Sequence, residues 1–460
     1  MQAKKVILGI TVGMVMVGAV AGTVLWFLKT NEPLRQHLLQ KLNGTENAEM
    51  TQVPTKQQTT APIETTTLTT TTSEMVYTEL PAGFQMTVAE RTHVYQRIKM
   101  KDKIALPYGE VVTDEWLDTS ELGRYQVPIR ILYEDKLYET LVAYEVVDDT
   151  KPLILNDGSQ AMHKIGTEFD IKKYIGYADD YDPKPQVSYV GEVNPNQAGK
   201  YPLSVTITDS SGNASKFSFV LQVVEEKPKY TPSGPTIEFP AFCQKYAGEN
   251  RVYGIDVSAW QEEIDFEAVK AAGCSFVIMR IASCYDEIRE DQYFTRNFEA
   301  AKAEGLKVGI YIYTTANTEA ELLEQTNWIG EKLGGASLDF PVVFDWEDFG
   351  TFQEYEMSIQ DLNDLFELFS EEMERLGYQA MLYSSKNFLV NFWQNPNNRP
   401  VWLAHYVGET NYTGEYTMWQ QTARGRISGI TGDVDFDIWY PDGMNVPEGT
   451  VSSEASNGSS

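Results

Sequence analysis

The chain has 460 residues, of which 42% are hydrophobic and 12% aromatic, enough apolar material for cores in two to four domains. Its formal charge of −29 argues against nucleic acid and anionic lipid as main partners, since both would repel it. A neutral glycan is left open by that charge.

Lys4 and Lys5 precede an uncharged apolar run over residues 6–28. About 20 apolar residues suffice to cross a bilayer. With the positive residues first, residues 1–5 are expected in the cytoplasm and the rest outside. A cleaved signal peptide is the alternative, because Ala19-Val20-Ala21 resembles a small-residue cleavage site. The run continues through Trp26 to Leu28, which favours an uncleaved single-pass anchor; both readings export the protein.

Residues 29–75 include "TTAPIETTTLTTTTSE", too poor in apolar side chains to offset the entropy of ordering, and predict an extended stalk. A repeat follows. Gly123-Arg124-Tyr125 and Gly199-Lys200-Tyr201 each open an alternating strand, a polar turn and a second alternating strand. The spacing predicts two all-β sandwiches, over residues 76–148 and 149–226, that loosely resemble bacterial immunoglobulin-like modules. They read mainly as spacers. In the second, Asp179, Asp180 and Asp182 of "YADDYDP" could hold calcium, but a solvated loop is the favoured reading. Residues 227–249 are Pro-rich and read as a linker.

From residue 250 to 443 the pattern becomes strand–helix alternation. Eight apolar strands are predicted, from "YGIDVSAW" to "DVDFDIWY". Amphipathic helices are expected over 265–272, 293–304, 319–333 and 359–376, each stopped by a glycine (Gly273, Gly305, Gly334, Gly377). This predicts an α/β TIM-like barrel of five βα units plus three further strands. Residues 444–460 read as a disordered tail. Cys243, Cys274 and Cys284 show no metal-site spacing. A Cys243–Cys274 or Cys274–Cys284 disulfide is an option, but three free thiols are favoured in so long a chain.

In such barrels the C-terminal strand ends face the site. Strand one offers Asp256, strand four Asp345 and Glu347, and the last strand Asp433, Asp435 and Asp437. Residues two apart on a strand share a face, so Asp345 and Glu347 point to the mouth while Phe344 and Trp346 turn toward the helices. Asp256 and Asp435 converge on them if strands one and eight are neighbours. Tyr311, Tyr313, Tyr383, Trp402, Tyr406 and Trp419 crowd the same ends, and Gln420 reaches the cleft. Clustered carboxyls ringed by aromatics suit glycoside hydrolysis: sugars stack on rings, and crowding keeps one acid protonated.

Over 253–440, "GIDVSAWQ", "AEGLKVGIYIY", "FPVVFDWED", "WLAHY", "MWQQT" and "GITGDVDFD" stand in order. Together they resemble glycoside hydrolase family 25, the bacterial and phage lysozymes that cleave peptidoglycan. The resemblance implies Glu347 as general acid and Asp345 as the carboxylate that stabilises developing positive charge and holds the substrate's acetamido N–H. Asp256 and Asp435 correspond to the remaining two carboxylates. It further implies an N-acetylmuramidase that retains anomeric configuration through the substrate's own acetamido group and needs no metal or cofactor. Cell-wall remodelling is the expected role, since it suits an anchored enzyme better than attack on other cells, and a monomer is expected. The sequence departs from the family at Ile281-Ala282-Ser283-Cys284, at Tyr311-Ile312-Tyr313, and at Asp433 and Asp437, where Asn is common. His405 reads equally as a sugar contact or as a structural histidine. The alternatives are a wall-glycan-binding or adhesion protein without catalysis, and a hydrolase of a chitin-like glycan.

Overall fold

The computed structural model describes residues 76–229, 234–394 and 399–444. The apolar run 6–28, the stalk and residues 445–460 lie outside them. Among the described residues no helix is long and apolar enough to cross a membrane. The single-pass anchor expected over residues 6–28 falls on that undescribed segment, and nothing among the described residues supports it.

Each of the first two modules is built on one long hairpin. In the first, Gly123–Tyr133 pairs with Lys136–Val147; in the second, Gly199–Thr208 pairs with Ala214–Val224. The repeat extends to side chains: Tyr125 Oη and Tyr201 Oη each donate to the carbonyl four residues back, of Glu121 and Gln197, both at 2.9 Å. Ile129, Ile131, Val142 and Val146 fill the first core, and Val205, Ile207, Leu221 and Val223 the second. Each main sheet is accompanied only by a two-stranded ribbon, Thr87–Val88 with Ile104–Ala105 and Leu153–Asn156 with Gly176–Ala178.

Eight further strands close on themselves: β1 Val252–Val257, β2 Phe276–Cys284, β3 Lys307–Thr314, β4 Val342–Asp345, β5 Ala380–Ser385, β6 Val401–Ala404, β7 Tyr416–Arg426 and β8 Val434–Met444. Helices α1 Phe266–Ala271, α2 Phe294–Ala303, α3 Glu319–Leu333 and α4 Ile359–Arg375 stand between the first five, and α5 Lys386–Asn391 follows β5. Asp265, Thr318 and Ser358 cap α1, α3 and α4, each accepting a backbone N–H and stabilising its helix by about 1 kcal/mol. Gly273, Gly305, Gly334 and Gly377 follow with positive φ, as their spacing predicts.

The TIM-like expectation is corrected. Strand outweighs helix over the described residues, and the eight strands form a closed β-barrel. β8 runs antiparallel to both β7 and β1, so closure is made by a hairpin and not by another βα unit. The connection from Arg426 to Val434 is too short for the crossover that parallel strands require. The result is a closed, mixed β-barrel of β/α-like type.

Two apolar layers hold it. Inside lie Phe276, Ile278, Val343, Met381, Trp402 and Met418. Gly254 permits this plug, since a Cβ there would meet the Phe276 ring at 2.5 Å. Outside, Phe344 packs on Phe366 and Phe369 of α4 with ring centroids 5.6 and 5.2 Å apart. The predicted linker is corrected too: Ile237–Glu238 pairs with β7, and the short helix Phe239–Lys245 buries Phe239 and Phe242 against Phe436. The cysteines are free; Cys274 and Cys284 are buried, and burial pushes both thiols up to about 12.

The second module docks on the barrel through the turn Phe349–Tyr355 that follows β4. Gln353 Nε2 donates to the carbonyls of Lys172 (2.9 Å) and Ile175 (3.0 Å), and its Oε1 accepts from Tyr177 N at 3.2 Å. Gly176 is required there, because a Cβ would lie 2.6 and 2.7 Å from the Gly350 and Phe349 carbonyl oxygens.

Candidate active site

β1 and β8 pair with Asp256 directly opposite Asp435, and β4 sets Asp345 beside Tyr313 of β3 and Tyr383 of β5. Asp256, Asp345, Glu347 and Asp435 line one cleft of about 1280 Å³, together with Tyr311, Tyr313 and Tyr406. A second lobe of about 510 Å³ is lined by Glu347, Tyr383, His405 and Tyr406. Glu347 and Tyr406 border both, so they stand at the waist of one continuous groove.

Beneath the waist runs a fixed hydrogen-bond chain. Tyr406 Oη and Tyr383 Oη donate to Gln420 Oε1 at 2.7 and 2.9 Å, and Gln420 Nε2 donates to Asp256 Oδ2 at 2.8 Å. Gln420 thus orients two rings and one carboxyl at once, from a buried position below the groove. Trp402 lies deeper. It is 2% exposed and donates Nε1 to Asp437 Oδ1 at 2.9 Å, so it belongs to the barrel interior and not to the cleft wall. Trp419 turns outward, packing on Tyr246 and donating to the His405 carbonyl. His405 lines the second lobe, its Nδ1 paired with Thr410 Oγ1 at 2.9 Å.

The carboxyls share one electrostatic problem. Burial, and then the charges of neighbouring acids, hold Asp256, Asp345, Asp435 and Asp437 well above the usual carboxylate range. Asp345 and Glu347 are both raised, first by desolvation; their mutual contact then raises Asp345 further and draws Glu347 back down, which favours the proton on Asp345 in the free groove. Glu347 keeps contact with solvent in the open groove, so its shift grows when a ligand displaces that water. Asp345 is 5% exposed and its Oδ1 has no hydrogen-bond partner. A buried acceptor left unmet is costly in isolation and ready for a donor from a ligand.

Asp437, read in the sequence among the acids of the last strand, is fully buried and sits opposite Gly254 and Gln420 at the floor. Sequence reasoning missed other members. Arg280 is the cation facing the acids; it pulls Asp345 back down and is held by Asp291, Nη2 to Oδ2 at 2.9 Å. A lone arginine in the apolar "FVIMRIA" was the available signal. Trp260, 83% exposed on the rim, offers a stacking face, and Tyr285 leans on Tyr313 with centroids 5.3 Å apart. Asp433 is partly offset by Arg424 and Arg426, which pair with it at 3.3 and 2.7 Å, and its charge still adds to the rise of Asp435.

Residues 255–430 match the family described as glycosyl hydrolases family 25. The uncharacterized protein YegX of Escherichia coli is 30% identical over 210 residues, which cover 43% of this chain and 73% of that protein. An autolytic lysozyme of Clostridium acetobutylicum is 29% identical over 189 residues, covering 40% of this chain and 54% of that one. Lysozyme M1 of Streptomyces globisporus is 28% identical over 202 residues, covering 41% and 68%.

Proposed function

This chain belongs to glycosyl hydrolases family 25, and from that membership we propose an N-acetylmuramidase in which Glu347 is the acid. It is a glycoside hydrolase whose substrate is peptidoglycan. The bond cleaved is the β-1,4 link between N-acetylmuramic acid and N-acetylglucosamine, which would cross the waist between the two lobes. The observation that carries the assignment of roles is Asp345: buried, beside Glu347, with one oxygen unmet.

The reaction follows from that pair. The acetamido N–H of the bound sugar donates to Asp345 Oδ1 and favours its anionic form. The proton then rests on Glu347, which gives it to the leaving glycosidic oxygen. The acetamido carbonyl oxygen attacks the anomeric carbon as the C–O bond breaks, and Asp345 stabilises the positive charge that develops on the cyclised group. Water, deprotonated by Glu347, opens this intermediate with net retention. Asp256, tied to Gln420, and Asp435 hold negative potential beside the oxocarbenium-like carbon. Arg280 keeps Asp345 from retaining the proton too strongly. The modules over residues 76–226 act as a spacer for the barrel, in the service of wall remodelling.

Mass analysis of digested wall tests the reading. Fragments ending in reducing muramic acid are expected; fragments ending in reducing glucosamine would refute the assigned bond and favour a chitin-like specificity.

A further inference from the structure

A second cluster of acids, none of which lines the groove, lies where the two β modules meet the barrel. Asp148 ends the first module, while Asp179 and Asp180 follow the Gly176–Ala178 strand of the second. One carboxylate oxygen from each of the three lies within 4.8 Å of the others. Oxygens that share an ion at about 2.3–2.6 Å are no more than about 5 Å apart, so the three can meet on one centre.

These are not solvated surface acids. Asp179 is 1% exposed and Asp148 7%. In each, one oxygen is already committed: Asp179 Oδ1 accepts from Tyr181 N (3.1 Å) and Asp182 N (2.9 Å), and Asp148 Oδ1 from Thr150 N at 3.3 Å. Their Oδ2 atoms are buried and have no hydrogen-bond partner. Asp209, 5% exposed, repeats the arrangement nearby, with Oδ1 held by Asn213 N and Oδ2 unmet. His93 offsets part of the charge by pairing with Asp180 (2.6 Å) and Asp149 (3.0 Å), but it reaches neither Asp148 nor Asp179. Both Asp180 oxygens already accept, Oδ1 from Thr150 Oγ1 at 2.7 Å and Oδ2 from His93, but Asp148 and Asp179 each keep a buried oxygen without a partner, which is expensive unless a cation joins them.

We propose that Asp148, Asp179 and Asp180 hold a calcium ion at the junction of the two β modules and the barrel. An all-oxygen donor set of carboxylates suits a hard cation, and backbone carbonyls and water can complete its shell without the strict octahedron of magnesium. Zinc would draw an imidazole or thiolate into the set, and His93 is already occupied on both ring nitrogens. The site also bears on the barrel. The Asp179 carbonyl accepts the Ile359 N–H at 2.7 Å, at the start of α4, so an ion on the Asp179 side chain fixes a residue that touches both bodies.

The test uses the full chain, stripped with chelator and titrated with calcium chloride by calorimetry, with melting followed in parallel. One calcium per chain is expected, in the range of about 10⁻⁵–10⁻³ M, together with a rise in melting temperature. Asp179→Asn and Asp148→Asn should bind at least about tenfold more weakly and lose the calcium-dependent rise; in chelator they should melt no lower than wild type, because they relieve repulsion. If either variant fails to fold, Asp180→Asn, partly exposed, takes its place with the same expected loss. No heat and no shift in wild type overturns the proposal. So does an equal response to magnesium, a stronger one to zinc, or undiminished calcium binding by the variants.

Discussion

Glu347→Gln and Asp345→Asn are near-isosteric, yet they should fail differently. Glu347→Gln removes the proton donor. A positioned general acid contributes about 10²- to 10⁴-fold, and a sugar hydroxyl is a poor leaving group, so the loss should fall at the upper end, about 5 kcal/mol. Asp345→Asn keeps the shape and one acceptor but loses the charge offered by the unmet Oδ1. A hydrogen bond to a charged group is worth about 1.5–3 kcal/mol, so the expected loss is about 10- to 200-fold. Clearance of wall suspensions and release of reducing ends measure both. An aryl glycoside of the same sugar, whose phenolate leaves without a proton, should restore bond cleavage to Glu347→Gln and not to Asp345→Asn. The alkaline limb of the pH profile should lie above the ordinary glutamate value of about 4.3 and be absent in Glu347→Gln, because activity falls as Glu347 loses its proton. If Asp345→Asn is the more damaged variant, or if the aryl substrate rescues it instead, the roles must be exchanged.

Asp437→Asn should stabilise the fold in a pH-dependent way. A carboxyl whose folded value is raised contributes its full stability below the unfolded value of about 3.9 and loses it as pH rises, so the variant should melt above wild type at neutral pH and converge with it in acid. Trp260→Ala, which removes an exposed stacking face from the rim, should raise KM about 2- to 10-fold with little change in kcat; an unchanged KM would remove Trp260 from the binding surface. Gln353→Ala deletes three hydrogen bonds between the second module and the barrel and should weaken that docking by about 2–4 kcal/mol, seen as faster proteolysis of the connector between them. Activity on short soluble glycans should be unaffected; loss of activity without loosening would contradict the docking role.

The four carboxyls were legible because strand periodicity fixes which side chains share a face, and the run of β-strand ends fixes where they gather. Phe344 and Trp346 pointed to the helix layer for the same reason. What period cannot give is direction: "DVDFDIWY" reads the same as a parallel or an antiparallel strand, and only the short connection from Arg426 to Val434 settles it. Trp402 shows a related blindness. An aromatic near a strand end looks like a sugar platform until depth is known, and depth depends on how far each strand is sheared against the next. The helix Phe239–Lys245 was hidden by the prolines around it, although Phe239 and Phe242 were apolar enough to announce a buried face. The apposition of Asp148 with Asp179 joins two modules, which no local pattern encodes.

The turn Phe349–Tyr355 begins two residues after Glu347 and is clasped by the second module through Gln353 and Gly176. The second module and the barrel are thus joined twice, through the connecting chain and through this shorter contact, and the shorter one meets the barrel on the segment that carries Glu347. A shift of the module would therefore be felt first at the groove, before any other part of the barrel.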